Sequence, residues 1–203
     1  MKLKKEDRRV IRTKRDLKDA FFTLLKEKND VDKVSIVDIT EKANYNRATF
    51  YVHYLDKQSL IDEIIDETLN GFLAAFREPY NQIKTLELDK LSIQAIQIFK
   101  YIEDNTEIFR LLFTNKAFKG FYKKFSSVLE ELFLTEVSYF DNQSQYFEKI
   151  NQELFVRAQS YSMIGIISYW VEHDFIFSAE FMNEQLLMIT RNYDSNQIKF
   201  IKP

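Results

Sequence analysis

Apolar residues recur with a helical period along most of the 203-residue chain. Positions three or four residues apart share one face of a helix, so this period predicts helices wherever it is sustained. In the first part of the chain the predicted helices cover 10–28, 36–43, 47–54 and 57–76. Further along they cover 86–101, 106–114, 118–136, 145–173 and 178–190. The pattern therefore predicts an all-α fold, and the polar residues 194–203 are expected to form a loose tail.

Two short helices with a tight break between them are predicted near the start of the chain. Ser35 and Asp38 predict an N-terminal cap, because a Ser and an acidic residue three positions later can each bond the other's backbone N–H. Asn44 falls at the break, and Asn tolerates the left-handed conformation that a tight turn requires. Asn46 is placed to cap the following helix. This arrangement is typical of a helix-turn-helix.

Composition agrees with a helical fold and narrows the possible chemistry. Three Gly and two Pro are too few for an all-β or an alternating β-α fold. The chain has no Cys, and its two His, His53 and His173, lie far apart, so we expect no metal, no cofactor and no enzymatic activity. No long apolar segment or export signal is present, so a cytoplasmic protein without membrane contact is expected.

The charge is unevenly distributed along the chain, although the formal net charge is only −2. Residues 1–60 carry 15 Lys and Arg against 10 Asp and Glu, whereas the remainder carries 14 against 21. The basic residues begin with a run that includes Lys4, Lys5 and Arg8. A basic end on an acidic body favours binding of a polyanion at that end, although an ordinary solvated charge run explains the composition at least as well.

The helix predicted over 47–54 has two different faces. Phe50 and Tyr54 fall on one side, where they are expected to face the core. The opposite side is small and mixed in character, as suits a helix that enters a major groove, and consists of Ala48, Thr49 and Val52. Three residues flank it where phosphates would lie, namely Tyr51, His53 and Lys57. Alternatively, all of these are ordinary exposed residues of a three-helix bundle.

The segment 39–60, ITEKANYNRATFYVHYLDKQSL, resembles the helix-turn-helix of the TetR family of bacterial repressors. The matching positions are Ile39, Ala43, Thr49, Phe50, Tyr51, Lys57 and Leu60. Two positions depart from the family pattern, because Asn44 replaces the usual Gly and Thr40 the usual Ala. The specific likeness covers about residues 8–65.

The resemblance implies a three-helix DNA-binding domain over 1–55 and a helical ligand-binding and dimerisation domain over 56–193. Carried over by position, the base-reading residues are Arg47, Ala48, Thr49 and Val52. The phosphate contacts are Asn46, Tyr51, His53 and Lys57. The basic run with Lys4, Lys5 and Arg8 is expected to follow the DNA backbone or to enter the minor groove.

The second domain is rich in aromatic residues, in a chain with 19 Phe, 11 Tyr and one Trp. The residues expected to line a pocket for an apolar or aromatic effector are Phe99, Phe109, Phe113, Phe118, Phe121, Tyr122, Phe125 and Trp170. Aromatic residues at helical spacing are also typical of an ordinary core, so both interpretations stay open. Trp170 belongs either to this pocket or near the dimer interface.

Small and apolar residues on the last two predicted helices predict a homodimer. The expected interface consists of Ala158, Tyr161, Gly165, Tyr169, Phe181, Leu186 and Ile189. One short recognition helix contacts too few base pairs for useful specificity, so a dimer on near-palindromic DNA is expected. The leading hypothesis is a homodimeric repressor released by a small ligand. The alternatives are a regulator of this fold controlled by a protein partner, and a helical interaction module that no longer binds DNA.

Overall fold

The computed structural model describes residues 8–81, 85–87, 92–115, 118, 120–138, 150–191 and 199–201. Its first four helices are Arg8–Lys28 (α1), Ile36–Lys42 (α2), Arg47–His53 (α3) and Lys57–Arg77 (α4). They confirm the four helices that the apolar period predicts in this part of the chain.

Five helices follow in the described residues, and the protein is all-α. They are Ile98–Asp104 (α5), Thr106–Thr114 (α6), Phe121–Glu136 (α7), Gln152–Glu172 (α8) and Ala179–Arg191 (α9). The Asn151 side chain accepts a hydrogen bond from the Leu154 N–H at 2.9 Å, which sets the start of α8 at Gln152 rather than at residue 145. Ser178 caps α9 as predicted, because its Oγ accepts from the Phe181 N–H at 3.2 Å.

A small antiparallel sheet accompanies the helices, with strands Thr85–Glu87 (β1), Val137–Ser138 (β2) and Lys199–Ile201 (β3). The strand order is β1-β3-β2, so β3 is central. Phe200 lies opposite Leu86 on one side and Val137 on the other. The sheet therefore joins three segments that are distant in sequence.

Two predictions are wrong where this sheet forms. The helix predicted over 86–101 is instead β1, a 3-10 turn at Ile93–Ala95 and α5. The tail predicted over 194–203 is not loose throughout, because its residues 199–201 form the central strand. Short apolar runs suit either a strand or a helix, and pairing with a distant segment decides between them.

The chain divides into two compact units, the first of which extends to Glu67 and also includes Asn115 and Phe118. Its described helices surround fully buried side chains, namely Leu17, Phe21, Ile39, Phe50 and Leu60. The sequence predicts a boundary at residue 55, but the start of α4 belongs to this unit. The Glu63 carboxylate of α4 accepts a hydrogen bond from Lys14 of α1 at 2.8 Å, which fixes α4 against α1.

The second unit contains the remaining described residues from Thr68 onward. Within it, α7 packs against α8 and α5 packs against α9. Its core is aromatic, with fully buried Phe72, Phe99, Phe109, Phe121, Phe125 and Trp170. Ring contacts join them, such as Phe99 with Trp170 at 5.5 Å and Phe72 with Phe125 at 5.1 Å between centroids.

Gly71 allows a close contact between α4 and α5. A Cβ at this position would lie 2.3 Å from Tyr101 Oη and 2.5 Å from the adjoining ring carbon. Tyr101 Oη donates a hydrogen bond to the Thr68 carbonyl oxygen at 3.0 Å, and its ring meets the Phe109 ring edge-on. Only a residue without a side chain leaves room for this arrangement.

The described residues can be compared with what a membrane span and a metal site require. No helix among them is long and apolar enough to cross a membrane. In the same part of the chain, no group of three or more His, Asp or Glu side chains is arranged to hold a metal ion. The expectation that the protein needs no cofactor stays a prediction.

Candidate nucleic-acid interface

Local hydrogen bonds define the start of α2, as the sequence predicts. The Asp38 N–H donates to Ser35 Oγ at 3.1 Å and the Ser35 N–H donates to Asp38 Oδ2 at 2.8 Å, which confirms the capping box. Lys28 Nζ donates to the same carboxylate at 2.7 Å. Hydrogen bonds from Lys28 and Ser35 hold the pKa of Asp38 well below its ordinary value, so the carboxylate of the cap stays charged at acidic pH values where an ordinary Asp is protonated.

The turn between α2 and α3 is built around Asn44, whose φ of 59° is the left-handed conformation predicted for it. The Tyr45 N–H then donates to the Thr40 carbonyl oxygen at 2.8 Å. Tyr45 Oη donates to Asp16 Oδ2 at 3.0 Å, which ties the turn to α1. These contacts fix the direction in which α3 leaves the turn.

Helix α3 has a buried face and an exposed face, as predicted. Phe50 is fully buried and Tyr54 nearly so, whereas Val52 is 76% exposed. The exposed residues are Asn46, Arg47, Ala48, Tyr51 and Val52, and Thr49 and His53 are half-buried. The structure therefore brings the predicted base-facing residues together on one side of a short helix. We call Asn46, Arg47, Ala48, Thr49, Tyr51 and Val52 the recognition surface.

Asn46 caps α3 and also binds the side chain of Thr49. Asn46 Oδ1 accepts from the Thr49 N–H at 2.8 Å and from Thr49 Oγ1 at 2.9 Å. The cap uses the amide oxygen of Asn46, so its NH₂ group is the part that can donate to a phosphate. The hydroxyl hydrogen of Thr49 is used in the same contact, which leaves that oxygen as an acceptor towards a base.

Arg47 and Tyr51 form a pair on the recognition surface. Arg47 Nη2 donates to Tyr51 Oη at 3.1 Å, and the guanidinium carbon lies 5.5 Å from the centre of the tyrosine ring. The sequence assigns these residues to different partners, a base and a phosphate. Sequence inspection did not identify their contact, although a spacing of four residues places two side chains side by side on a helix.

Lys57 occupies a different position from the one that the sequence predicts. Its ammonium donates to the carbonyl oxygens of Val31 at 2.6 Å and Val34 at 2.8 Å, inside the N-terminal unit. Asp56 Oδ1 accepts from the Ser59 N–H at 2.7 Å, so a carboxylate lies at the start of α4, where a phosphate was expected. Two of the three ammonium donors therefore have internal partners, which favours a structural role for Lys57 over the phosphate contact predicted from the sequence.

The basic residues of the N-terminal segment are only partly described. Lys4 and Lys5 lie outside the described residues, whereas Arg8 is exposed at the start of α1. Arg12 and Arg15 follow on the same helix with largely exposed side chains, each 3.7 Å from an Asp16 carboxylate oxygen. Exposed pairs at this distance are weak, so these guanidinium groups remain accessible to a polyanion.

Leu55 is an exposed residue that sequence inspection missed. It follows α3 closely, three positions after the exposed Val52, and is 83% exposed. Val37 of α2 is also exposed. Single exposed apolar residues are common on protein surfaces, so no sequence signal distinguishes Leu55 and Val37.

Several of the aromatic residues predicted to bind a ligand contact one another. Phe113 contacts Phe121 at 5.3 Å and Tyr122 at 5.2 Å between ring centroids, and Phe121 contacts Phe125 at 5.4 Å. Phe99, Phe109 and Trp170 are fully buried elsewhere in the same unit. Phe118 is buried but belongs to the N-terminal unit. Close ring contacts of this kind are typical of a packed core, so ligand binding by these residues stays a prediction.

The residues predicted to form the dimer interface share one surface of α8 and α9. Tyr161 is 53% and Tyr169 50% exposed. Ala158, Gly165, Phe181 and Ile189 are exposed as well, whereas Leu186 is half-buried. An open groove of about 450 Å³ runs between the two helices, lined by Ser162, Gly165, Ile166, Tyr169, Phe177, Phe181, Met182, Gln185 and Ile189. We call this surface the α8–α9 face.

A helix-turn-helix with an exposed second helix is the architecture of a class of DNA-binding proteins. In this chain the second helix is α3, which carries the recognition surface. Residues 89–192 match the TetR_C_8 family model, a transcriptional regulator C-terminal region. The match covers half of the chain. The chain therefore belongs to the TetR family of transcriptional regulators, as its helix-turn-helix predicts.

Individual proteins agree with this assignment. The chain is 46% identical over 170 residues to the uncharacterized HTH-type transcriptional regulator YxbF of Bacillus subtilis. The alignment covers 84% of this chain but only 42% of that protein, so the chain spans less than half of this relative.

Solved structures of similar fold include a TetR regulator from Streptococcus agalactiae, with a TM-score of 0.61 and 23% identity over 91% of this chain and 96% of that one. Another is NalD of Pseudomonas aeruginosa, the secondary repressor of the MexAB-OprM multidrug efflux pump. Its TM-score is 0.60 at 14% identity, over 95% of this chain and 98% of that one.

Proposed function

We propose that this protein is a homodimeric transcriptional repressor that binds a near-palindromic DNA operator through α3 and is released by a small apolar or aromatic ligand. The observation that carries the proposal is the recognition surface. It is exposed on a helix whose other face is anchored by fully buried Phe50. NalD, which shares the fold, is described as a repressor. Such a protein would act in the cytoplasm, where bacterial DNA lies.

Each part of the recognition surface has a suitable partner on DNA. The Arg47 guanidinium matches the O6 and N7 acceptors of guanine, and the exposed Val52 side chain matches a thymine methyl group. Ala48 and Thr49 complete the base-facing set. Asn46 and His53, with Arg8 and the basic residues before it, supply contacts to phosphates, which position the protein without carrying sequence information.

Exposed apolar residues on the α8–α9 face support the homodimer. Tyr161 and Tyr169 are half-exposed, and apart from the chain neighbours of Gly165 and the backbone of its own helix, no heavy atom lies within 4 Å of the place where its Cβ would be. A helix of a second copy can therefore approach closely at Gly165. Two copies related by a two-fold axis would present two α3 helices to successive major grooves.

The proposed small-molecule effector would bind in the second unit. The aromatic side chains of the second unit suit an apolar ligand, but the contacts among Phe113, Phe121 and Phe125 favour the alternative of a regulator without such an effector. That alternative regulator is controlled by a protein partner. A third possibility, a helical module that no longer binds DNA, is opposed by the exposed Arg47 and Tyr51.

Selection of bound duplexes from a random pool tests the DNA-binding proposal. We expect the full chain to enrich a near-palindrome. Arg47→Ala should then lower affinity for it by about 1–3 kcal/mol per base pair contacted and relax specificity at that position. Ser127→Glu, at an exposed position of α7, serves as a control that leaves binding unchanged. Enrichment of no sequence would favour the module that does not bind DNA.

A thermal-shift screen of apolar and aromatic compounds tests the effector. A true effector raises the melting temperature of the free protein and weakens operator binding, because one coupling free energy links the two sites. Compounds that stabilise the protein without weakening operator binding are ligands but not effectors. A broad screen that stabilises nothing favours control by a protein partner.

A further inference from the structure

Two contacts join Arg47 to Tyr51. The hydrogen bond from Arg47 Nη2 to Tyr51 Oη is 3.1 Å long. The guanidinium also lies over the tyrosine ring, 5.5 Å from its centre, within the range of a cation–π attraction. The two contacts restrict both the position and the plane of the guanidinium.

The tyrosine ring is itself fixed to the core of the N-terminal unit. Its centroid is 5.7 Å from that of Phe50, and the two rings meet edge-on at 84°. Phe50 is fully buried and packs 5.4 Å from the ring of Tyr54. A chain of aromatic contacts therefore runs from the core to Tyr51, and from there to the guanidinium.

We propose that Tyr51 is a positioning residue that holds Arg47 ready to bind the major-groove edge of a guanine. The two residues then act as one unit in sequence discrimination. This inference rests on the proposed DNA-binding function. It differs from the phosphate contact that the sequence suggests for Tyr51, because a phosphate contact strengthens binding to every duplex alike.

The chemistry of the guanidinium permits this role. Arginine carries five N–H donors, of which the contact with Tyr51 uses one, so a parallel pair remains for the O6 and N7 atoms of guanine. A free arginine side chain loses rotamer freedom when it binds. Holding the side chain beforehand reduces that loss and so strengthens binding where the guanine is present.

The test compares Tyr51→Phe, which keeps the ring and removes the hydroxyl, with Arg47→Ala and the double variant. Binding is measured at several salt concentrations to the duplex that the wild type selects and to a scrambled duplex. We expect Tyr51→Phe to lose about 3- to 10-fold in affinity for the selected duplex, as for one lost hydrogen bond, and less than about 2-fold for the scrambled one. In the Arg47→Ala background, Tyr51→Phe should leave the ratio of the two affinities unchanged.

Thr23→Val is the control, because it removes a hydroxyl that donates to the Asp19 carbonyl oxygen at an exposed position of α1 in the same unit. It should leave the ratio of the two affinities unchanged.

Three outcomes would contradict the expectation. If Tyr51→Phe loses the same affinity for both duplexes, and the slope of affinity against salt falls by about one, Tyr51 contacts a phosphate and the inference is overturned. A wild type that binds both duplexes alike would overturn the proposed function and this inference together. If the wild type prefers the selected duplex and Tyr51→Phe prefers it by the same ratio of affinities, the positioning role alone would be overturned.

Discussion

Lys57 and Lys28 both donate hydrogen bonds to backbone carbonyl oxygens in the segment before α2. Lys57 binds Val31 and Val34, and Lys28 Nζ binds the Lys33 carbonyl oxygen at 3.0 Å. Carbonyl groups near the start of a helix need hydrogen-bond partners when water is partly excluded. At the scale of single residues, these lysines therefore hold the segment that sets the position of α2.

We predict that Lys57→Met lowers the free energy of unfolding by about 1.5–3 kcal/mol, because two carbonyl groups lose charged partners while the apolar stem is kept. The salt dependence of DNA binding should stay unchanged. Urea unfolding and DNA-binding isotherms at several salt concentrations measure the two effects. Lys33→Met is the control, since its largely exposed ammonium lies 3.9 Å from Asp30. If Lys57→Met reduces the salt slope by about one without loss of stability, Lys57 contacts a phosphate.

Glu63 links three elements of the N-terminal unit. Its carboxylate accepts hydrogen bonds from Lys14 at 2.8 Å and Tyr54 at 3.0 Å, and Lys18 Nζ lies 2.6 Å from it. Burial raises the pKa of Glu63, but these three partners outweigh burial and lower the pKa from 4.5 to about 2. The folded state thus holds the charged form more firmly than the unfolded state does.

This shift predicts a pH-dependent contribution to stability. The ionised Glu63 stabilises the fold above pH 4.5, and the contribution is lost as the pH falls from 4.5 towards about 2. Urea unfolding should therefore show Glu63→Gln less stable than the wild type at neutral pH, with a gap that narrows below pH 4.5. Glu67→Gln, at a more exposed partner of Lys18, should have a much smaller effect. A gap independent of pH would contradict the charged network.

Local contacts at these positions could be predicted from the sequence, and distant ones could not. The Ser35 cap and the Asn44 turn involve partners at most four or five residues away, so residue type and spacing identify them. The partner carbonyls of Lys57 lie 23 and 26 residues earlier in the chain. Only the packing of α4 against the segment before α2 brings them together, which no local pattern indicates.

At the scale of elements, the contact between α4 and α5 depends on Gly71. Gly71→Ala would stabilise an ordinary helix by about 0.5–1 kcal/mol. Here we predict a loss of about 1–3 kcal/mol, because the new Cβ would push the Tyr101 ring away from its place and from the Thr68 carbonyl. Thermal and urea unfolding measure the change.

Gly120→Ala is the control for this substitution. Apart from the chain neighbours of Gly120, no heavy atom lies within 4 Å of the place where its Cβ would be, so we expect little change in stability. Adding Tyr101→Leu to Gly71→Ala should recover part of the lost stability, because the smaller side chain leaves room for the Cβ. A stabilised Gly71→Ala variant would show that Tyr101 moves aside at little cost.

The helices could be predicted from the sequence because their signals are local. Periodicity identified most of the helices, although α5 was predicted only as the end of a longer helix over 86–101, and Ser178 marked the start of α9. The strands could not be predicted in this way. The local pattern of β1 fits the start of a helix. It forms a strand because it pairs with Lys199–Ile201, more than one hundred residues later. Non-local pairing of this kind overrides local preference.

At the scale of the whole molecule, the proposed dimer depends on small residues of the α8–α9 face. We predict that Gly165→Glu gives a folded monomer with weakened operator binding, because the open position tolerates the side chain but a partner helix does not. Ala158→Arg should act in the same way. Sedimentation and circular dichroism measure assembly and folding, with Ser127→Glu as an exposed control. An unchanged dimer would place the interface elsewhere.

The central position of β3 has a consequence for the order of folding during synthesis. β3 follows both of its partners along the chain, and β1 and β2 pair with it rather than with each other. The ribosome therefore releases both outer strands before the strand that joins them exists. Until residue 201 is made, β1 and β2 each expose unpaired backbone groups to solvent. The second unit can complete its fold only after residue 201 has been made, whereas α1 to α3 can form well before that point.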